Sequence, residues 1–412
     1  MPDRHRDAQA RPHGTALPEP ADRRSRARQL KKLILILCLV PVAGVADNTA
    51  PRARDLGIPF DGTPGALNAI TDVASVTVGH ETIIEDFPDG RAARTGVTAI
   101  LPRGKASNDE PVFGAWFSLN GNGEMTGTTW VEESGFLEGP VMITNTHSVG
   151  TVHQATIQWR IDQGAADSSG FWWSLPVVAE TWDGYLNDIN GFHVKAEHAQ
   201  AALDAATGGP LAEGNVGGGT GMICHEFKCG IGTASRIAKT SEGDYTVGVL
   251  VQANYGLREQ LRVAGVPVGQ HLREDKVWTE DVAPDAETGS IIIVVATDAP
   301  LLPHQLKRLA RRAALGLARI GSVAGNGSGD IFIAFSTANE GANQADPGVE
   351  VRVLANENIG PMFAATVEAT EEAIVNALVA GRNMTGNRGH VVKAIDHSQL
   401  IDVLRKHNRL VE

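Results

Sequence analysis

One dipeptide in the sequence could create a nucleophile that carries its own base. Ser290 follows Gly289 and opens an apolar, β-branched run, Ser290–Thr297 (SIIIVVAT). If the peptide bond before Ser290 were cut, its hydroxyl would lie beside a free α-amine, whose pKa of about 7.7–8.0 suits a general base. A preceding glycine favours such a cut, because glycine tolerates the strained backbone that hydroxyl attack on the previous carbonyl requires. The pattern predicts an amide hydrolase with an N-terminal serine; an ordinary strand-starting serine is the alternative.

A second polar pair lies in the glycine-rich segment 325–330 (GNGSGD). Ser328 and Asp330 are two residues apart, so a turn could direct a hydroxyl and a carboxylate into one pocket. There the pair could relay protons or hold a substrate ammonium group. A turn whose side chains only cap the backbone is the alternative interpretation.

Other familiar sites are excluded by their spacing. The segment 214–222 (GNVGGGTGM) fits neither the G-x-G-x-x-G pattern nor a P-loop, because Thr220 stands where a P-loop needs lysine. Tight turns that line a site, or close backbone packing, are expected there instead. No serine lies in G-x-S-x-G, so a nucleophile elbow is not predicted. Cys224 and Cys229 flank His225, but three ligands without a second cluster do not predict zinc; we expect a disulfide or free thiols, and no metal.

The rest of the chain must supply the elements that position these residues. At 412 residues, with 42% hydrophobic and 20% charged residues, the chain can bury a large core and is neither disordered nor a coiled coil. A formal net charge of −12 argues against nucleic-acid binding. The 46 glycines follow no Gly-X-Y period, so collagen is excluded and many special turns are implied.

Short strands and amphipathic helices alternate along the chain, which predicts a layered α/β sandwich. Apolar runs predict strands at 66–80, 95–101, 111–119, 141–146, 246–253, 290–297 and 331–336. Helices are predicted at 151–163, 195–207, 299–320 and 361–380. One face of the third helix should be buried, and it consists of Leu306, Leu309, Ala310, Ala313, Leu317 and Ile320.

Residues 1–46 predict a secretory signal peptide. An Arg-rich stretch precedes the apolar run 33–46, which ends in small residues and is shorter than the roughly 20 residues that span a bilayer. We therefore expect an exported, periplasmic protein without stable membrane association once the signal is removed. A buried N-terminal strand or a retained anchor is the alternative.

Eight segments spread from about Arg52 to about Leu400 carry a family resemblance. They are ARDLGIPFDGTPGALNAITDV, LNGNGEMTG, ITNTHSVGTV, GNVGGGTGM, GIGTASR, VGVLVQANYG, GSIIIVVATDAPLLPHQLKRLARR and NGSGDIFIAFST. Together they resemble the self-processing serine aminopeptidases of the DmpA and β-peptidyl aminopeptidase type.

The resemblance implies a chain that is cut before Ser290 into a large subunit, 47–289, and a small subunit, 290–412, which together form one catalytic domain. It implies an α/β/β/α four-layer sandwich similar to the N-terminal-nucleophile hydrolases, with different strand connectivity, and a homo-oligomer, commonly a tetramer of cleaved units. The implied activity releases N-terminal residues from short peptides, amino-acid amides and esters, in some members D- or β-amino acids. No metal or organic cofactor is implied.

Carried over residue by residue, the family's nucleophile is Ser290, and its auxiliary serine and acidic residue are Ser328 and Asp330. Some members have Glu at the last position, which changes the reach of the carboxylate. Asn254, in VQANYG, corresponds to the asparagine that stabilises the oxyanion.

Two substrate contacts are also implied by the resemblance. Glu133, in WVEESG, would contact the substrate ammonium group, and Trp182, in ETWDGYLND, corresponds to a pocket aromatic that is tyrosine in some members. Two competing functions are an acyltransferase on a related fold, such as the ornithine acetyltransferases, and a non-catalytic exported binding protein.

Overall fold

The computed structural model of the chain describes residues 51–277, 289–344 and 348–411. The predicted signal peptide, 1–46, lies outside these residues, as does the polar stretch 283–288 before the predicted cut. The unit Thr49–Glu412 is compact and contains every element described below.

The described residues form fourteen strands and seven helices. In chain order the strands are β1 (Thr77–Asp86), β2 (Ala92–Lys105), β3 (Val112–Gly121), β4 (Phe136–Leu137), β5 (Val141–Asn145), β6 (Val177–Thr181), β7 (Ile223–Cys224), β8 (Phe227–Lys228), β9 (Ile231–Thr240), β10 (Gly243–Asn254), β11 (Ser290–Thr297), β12 (Gly329–Ser336), β13 (Met384–Thr385) and β14 (Val391–Val392). The helices are α1 (Thr128–Ser134), α2 (Val149–Asp162), α3 (Ala196–Asp204), α4 (Val268–His271), α5 (Pro303–Arg319), α6 (Gly360–Val379) and α7 (His397–Lys406).

A six-stranded sheet in the order β4-β3-β12-β11-β10-β9 has β11 near its centre. β11 pairs parallel with β12 and antiparallel with β10. Every residue of β11 is buried, because the strand is covered on both faces, as its continuous β-branched sequence predicts. Ser290 opens this strand, so its backbone is held by a neighbour on each side.

A four-stranded sheet in the order β1-β2-β5-β6 packs against one face of the larger sheet. Alternate residues of β11 divide between two cores: Ile292 and Val294 lie between the sheets, whereas Ile291 and Ile293 pack under α5 and α6. The outer face of the smaller sheet is covered by α2 and α3. Between the sheet and these helices lies a third hydrophobic core, which contains Trp159. The layers are therefore α/β/β/α, and the predicted sandwich is confirmed.

The buried face predicted for the third helix is confirmed in α5. The six predicted residues, of which Ile320 directly follows the helix, are all buried: Leu306, Leu309, Ala310, Ala313, Leu317 and Ile320. The predicted start at 299 is wrong, because the helix begins at Pro303. Proline suits the first helical position, where its missing N–H breaks no intrahelical hydrogen bond.

The strand predicted at 66–80 is mostly wrong, because β1 begins only at residue 77. The chain turns before it: Ser75 has a φ of 70°, and the Asp72 carboxylate accepts a hydrogen bond from the Ala69 N–H at 3.1 Å. Such local bonds between side chain and backbone compete with strand pairing.

The glycines of 214–222 permit close packing, as predicted. A Cβ on Gly218 would lie 2.1 Å from Gln252 Oε1, and one on Gly221 would lie 2.3 Å from the carbonyl oxygen of Arg94. These glycines are needed because larger residues would collide with their neighbours.

Candidate active site

Ser290 lies where three strands of the large sheet meet. Its Cα faces that of Asn254 in β10 and that of Gly329 in β12. The Ser290 Oγ accepts a hydrogen bond from the Gly329 N–H at 3.2 Å, and the residue is only 5% exposed. The neighbouring strand ends thus hold the predicted nucleophile in one orientation.

The peptide bond before Ser290 is held by the same donor. The Gly329 N–H also donates to the carbonyl oxygen of Gly289 at 3.2 Å. Hydroxyl attack on that carbonyl would turn this oxygen into an oxyanion, beside a donor already in place. A Cβ on Gly289 would lie 2.4 Å from the Tyr255 Cα and 2.5 Å from the Asn254 carbonyl oxygen. Packing therefore requires glycine before the nucleophile.

The side-chain amide of Asn254 is fixed at both of its polar atoms. Its Oδ1 accepts a hydrogen bond from the Ile223 N–H at 2.9 Å, and its Nδ2 donates to the carbonyl oxygen of Trp182 at 2.8 Å. Nδ2 carries a second hydrogen, and the side chain stands at the strand end that faces Ser290. An amide held this rigidly beside a serine is suited to stabilise an oxyanion.

Ser328 and Asp330 flank the glycine whose N–H contacts the nucleophile. Ser328 Oγ donates to Asp330 Oδ1 at 2.6 Å, and both residues are fully buried. Two asparagines anchor the preceding turn: Asn120 Nδ2 and Asn122 Nδ2 donate to carbonyl oxygens within 324–327 at 3.1 Å and 2.8 Å. The structure thus brings this predicted pair to the start of β12, next to β11.

A pocket beside the predicted cut contains Trp182, which is 38% exposed. The pocket is lined by Trp182, Asp183, Tyr185, Gly221, Ile223, Asn254, Tyr255, Gly256, Leu257 and Gly289. The predicted pocket aromatic and the predicted oxyanion donor therefore line one space. An indole stands here, so a hydroxyl role at this position does not apply to this chain.

Glu133 is not brought to this group. It is exposed near the end of α1, just before β4, which pairs with β3 at Val112 and Phe113. The opposite end of β3, at Gly121, is the one level with Gly329. The predicted ammonium contact therefore lies toward the wrong end of the sheet.

A buried carboxylate that the sequence analysis missed lies beside the site. Glu180, on β6, is 3% exposed; its Oε1 accepts a hydrogen bond from the Glu124 N–H at 2.9 Å, and its Oε2 accepts one from the Thr146 hydroxyl. A Cβ on Gly123 would lie 3.2 Å from both Glu180 Oε1 and the Gly329 Cα, so the carboxylate and the glycine face each other across Gly123. Burial raises the pKa of Glu180, and the two hydrogen bonds oppose that shift.

A second buried carboxylate holds the segment that follows β6. Asp183 accepts hydrogen bonds from Asn145 Nδ2 at 3.1 Å and from Asn187 Nδ2 at 3.0 Å. Burial raises the pKa of Asp183 to about 6, although these donors and Thr95 lower it. Because Trp182 precedes Asp183, this network also supports the carbonyl that holds Asn254.

Cys224 and Cys229 are joined by a disulfide, which decides between the disulfide and the free thiols that the sequence left open. His225 between them is fully buried, and its Nδ1 contacts the carbonyl oxygen of Leu257 at 3.0 Å. The two sulfur atoms bond to each other, so neither is a thiolate available to a metal.

Relatives of known activity are similar to nearly the whole chain. The sequence pattern of peptidase family S58 matches residues 68–392. The β-peptidyl aminopeptidase BapA of Sphingosinicella microcystinivorans is 51% identical over 395 residues, covering 92% of this chain and 98% of that protein. BapA of Sphingosinicella xenopeptidilytica is 47% identical over 390 residues, covering 90% and 95%.

Solved structures share the fold as well. The L-aminopeptidase D-Ala-esterase/amidase of Ochrobactrum anthropi matches with a TM-score of 0.82 at 50% identity, covering 88% of this chain and 100% of that one. It was presented as a prototype for the serine aminopeptidases and a new variant among the Ntn hydrolase fold. A β-aminopeptidase from a Burkholderia species matches with a TM-score of 0.79 at 51% identity, covering 86% and 99%. The resemblance predicted from eight motifs is confirmed.

Proposed function

Because the chain belongs to peptidase family S58, we propose that it is a serine aminopeptidase that first cuts its own chain before Ser290. The observation that carries the proposal is the shared Gly329 N–H, which bonds both the Ser290 Oγ and the Gly289 carbonyl oxygen. A hydroxyl and the carbonyl that it would attack are thus held around one oxyanion donor.

The cut proceeds in two steps. Ser290 Oγ attacks the carbonyl carbon of Gly289, the bond from that carbon to the Ser290 nitrogen breaks, and the hydroxyl proton passes to the departing nitrogen. Water then hydrolyses the resulting ester, which leaves a carboxylate on Gly289 and both a hydroxyl and a free α-amine on Ser290.

Turnover of a substrate uses the same hydroxyl. The Ser290 α-amine accepts the hydroxyl proton, directly or through Ser328, whose Oγ is held by Asp330 at 2.6 Å. The hydroxyl attacks the substrate carbonyl, and the Asn254 amide donates to the oxyanion. The amine product leaves with a proton, and water hydrolyses the acyl-enzyme.

An aminopeptidase must also recognise the free ammonium group of its substrate. Glu180 and Asp330 are both buried, and Glu180 faces the Gly329 Cα across Gly123, whereas Glu133 is exposed toward the other end of the sheet. We assign the ammonium contact to Glu180, supported by Asp330. The relatives are named for β-peptides and for D-alanine esters and amides, so the proposed substrates are short peptides, amides and esters with L-, D- or β-residues at the N-terminus.

Export and assembly remain part of the proposal. The pattern of residues 1–46 supports a signal peptide and a periplasmic location, and the family resemblance supports a homo-oligomer, a tetramer of cleaved units. Among the helices of the described ranges, none combines the length and the hydropathy that a membrane crossing needs. The relatives give no support to the acyltransferase or to the binding protein.

Replacing the nucleophile tests the self-cleavage and the peptidase activity together. We expect Ser290→Ala to stay one uncut chain on a denaturing gel and to release no p-nitroaniline from amino-acid p-nitroanilides, because the attacking oxygen is gone. Ser322→Ala is the matched control, since Ser322 also follows a glycine but lies in the turn after α5; it should be cut and active. An active wild type that stays uncut would refute the self-cleavage, and a wild type inactive on L-, D- and β-substrates would refute the peptidase.

A further inference from the structure

The disulfide between Cys224 and Cys229 closes a loop directly behind Asn254. Both cysteines are fully buried, and their sulfur atoms lie 3.4 Å and 3.1 Å from the carbonyl oxygen of Ala253. Ala253 precedes Asn254 in β10, so the covalent ring contacts the backbone of the proposed oxyanion donor.

The same loop holds the side chain of Asn254. Ile223, which immediately precedes Cys224, donates its N–H to Asn254 Oδ1 at 2.9 Å. This bond sets the orientation of the amide: with Oδ1 satisfied by a donor, Nδ2 points to the carbonyl oxygen of Trp182 and to the pocket. A shift of Ile223 would release the amide from that orientation.

The loop adopts a backbone conformation that its surroundings must enforce. His225 and Glu226 have φ angles of 46° and 63°, a region that residues other than glycine seldom adopt. Lys228 Nζ donates to the Met222 carbonyl oxygen at 2.9 Å, and the Glu226 carboxylate accepts the Arg258 N–H at 3.0 Å. The bond from Arg258 holds the loop from outside, whereas the Lys228 bond and the disulfide both join its two ends.

We infer that the Cys224–Cys229 disulfide is a positioning element for Asn254, and that its reduction slows turnover while leaving substrate binding intact. The inference rests on the proposed peptidase function. Reduction by a dithiol transfers two electrons and two protons, breaks the S–S bond and leaves two thiols, so the ends of the loop can separate and Ile223 can move. A displacement of about 1 Å can cost about 10²-fold in rate, and complete loss of an oxyanion donor costs about 10²–10³-fold.

The first experiment compares kcat and KM of the cleaved protein with those of the cleaved Cys224→Ala/Cys229→Ala variant on an amino-acid p-nitroanilide. We expect kcat to fall by about tenfold or more, and KM to change by less than about twofold, because a positioning defect acts on the transition state. Asp396→Ala is the matched control: it removes the cap of α7, where Asp396 accepts the Gln399 N–H at 2.9 Å, and should lower the melting temperature without changing kcat.

A double-mutant cycle with Asn254→Ala separates positioning from a general loss of stability. In that background, replacing both cysteines should cause no further loss in kcat, because the group that they position is absent. Additive losses, or an unchanged kcat in the cysteine variant alone, would overturn the inference.

A second measurement uses the wild-type protein and does not depend on whether the cysteine variant folds. Cleaved wild-type protein is treated with dithiothreitol, reduction is verified by mass spectrometry of the peptide that contains Cys224 and Cys229, and kcat is measured before and after reoxidation. A reversible fall in kcat supports the inference, and an unchanged kcat in the reduced protein overturns it. An oxidised wild type without any peptidase activity would refute the proposed function instead.

Discussion

At the scale of single residues, most groups of the site lie at neighbouring ends of the central strands of the large sheet. Because β10 runs antiparallel to β11 and β12 runs parallel to it, Asn254 ends its strand where Ser290 and Gly329 begin theirs. Glu180 comes from the other sheet, near the end of β6. Backbone position rather than long side chains therefore sets the distances between the reacting groups.

The assignment of the ammonium contact leads to a prediction for two glutamates. In Glu180→Gln, the amide oxygen can still accept the Glu124 N–H and the NH₂ can donate to Thr146, so the fold should persist. A hydrogen bond to a charged group contributes about 1.5–3 kcal/mol, so kcat/KM on substrates with a free amino group should fall by about ten- to a hundredfold. Steady-state kinetics on an amino-acid amide and on its analogue without the amino group measure this preference.

Glu133→Gln is the matched control for that experiment. Because Glu133 is exposed on α1, its kcat/KM should stay within about twofold of wild type, and its preference for substrates with an amino group should be unchanged. Loss of the preference in Glu133→Gln, with Glu180→Gln unaffected, would return the ammonium contact to the residue that the sequence predicts.

Asp183 makes a prediction about pH and stability. Its pKa is about 6 in the folded protein, against an ordinary value of 3.8, so between these values the folded state binds the proton more tightly than the unfolded state. The resulting stabilisation is fully present below pH 3.8 and is lost as the pH rises through 6. At pH 5 the folded state therefore gains about 1 kcal/mol relative to pH 7 from this one group.

The Asp183→Asn substitution removes this titration. The free energy of unfolding in urea is compared between the uncut Ser290→Ala protein and the uncut Ser290→Ala/Asp183→Asn protein. Asn145 and Asn187 both donate to Asp183, so an added NH₂ group would meet donors and the variant should be less stable throughout. The difference in free energy of unfolding should be larger at pH 5 than at pH 7 by about 1 kcal/mol. A difference that is equal at both pH values would show that Asp183 does not titrate in this range.

At the scale of elements, continuous patterns predict better than mixed ones. The strand Ser290–Thr297 has the predicted bounds, because the seven apolar or β-branched residues in a row after Ser290 fit a strand that is covered on both faces. The stripe that begins at Leu306 likewise identified the buried face of α5. Residues 66–76 also include apolar residues and are predicted as part of a strand. The Asp72 carboxylate instead accepts hydrogen bonds from the local backbone, and the chain bends there. Hydropathy alone does not reveal such a bond.

At the scale of the whole molecule, the contacts between the two sheets could not be predicted from the sequence. Ser328 and Asp330 are only two residues apart, so the sequence itself shows that they are neighbours. Glu180 is instead separated from Ser290 by more than a hundred residues, and only the packing of β6 across β11 brings them near. Its sequence signal is slight, a glutamate near the end of the apolar run Val177–Thr181. The family resemblance therefore predicted the fold, while the position of the second carboxylate depended on the structure.

The interleaved sheet predicts how the cleaved protein behaves. The strands β11 and β12 of the proposed small subunit lie between β10 and β3 of the proposed large subunit, and Ile291 and Ile293 are buried in a core to which both contribute. Separating the subunits would expose this core and break two ladders of backbone hydrogen bonds, so we expect them to co-elute on size exclusion in native buffer and to separate only in denaturant.

Light scattering should give a multiple of the cleaved unit's mass, which is fourfold for a tetramer. Uncut Ser290→Ala should elute at the same volume, because the cut removes no contact within the sheet. Subunits that separate in native buffer would contradict the shared sheet, and a mass of a single cleaved unit would contradict only the proposed assembly.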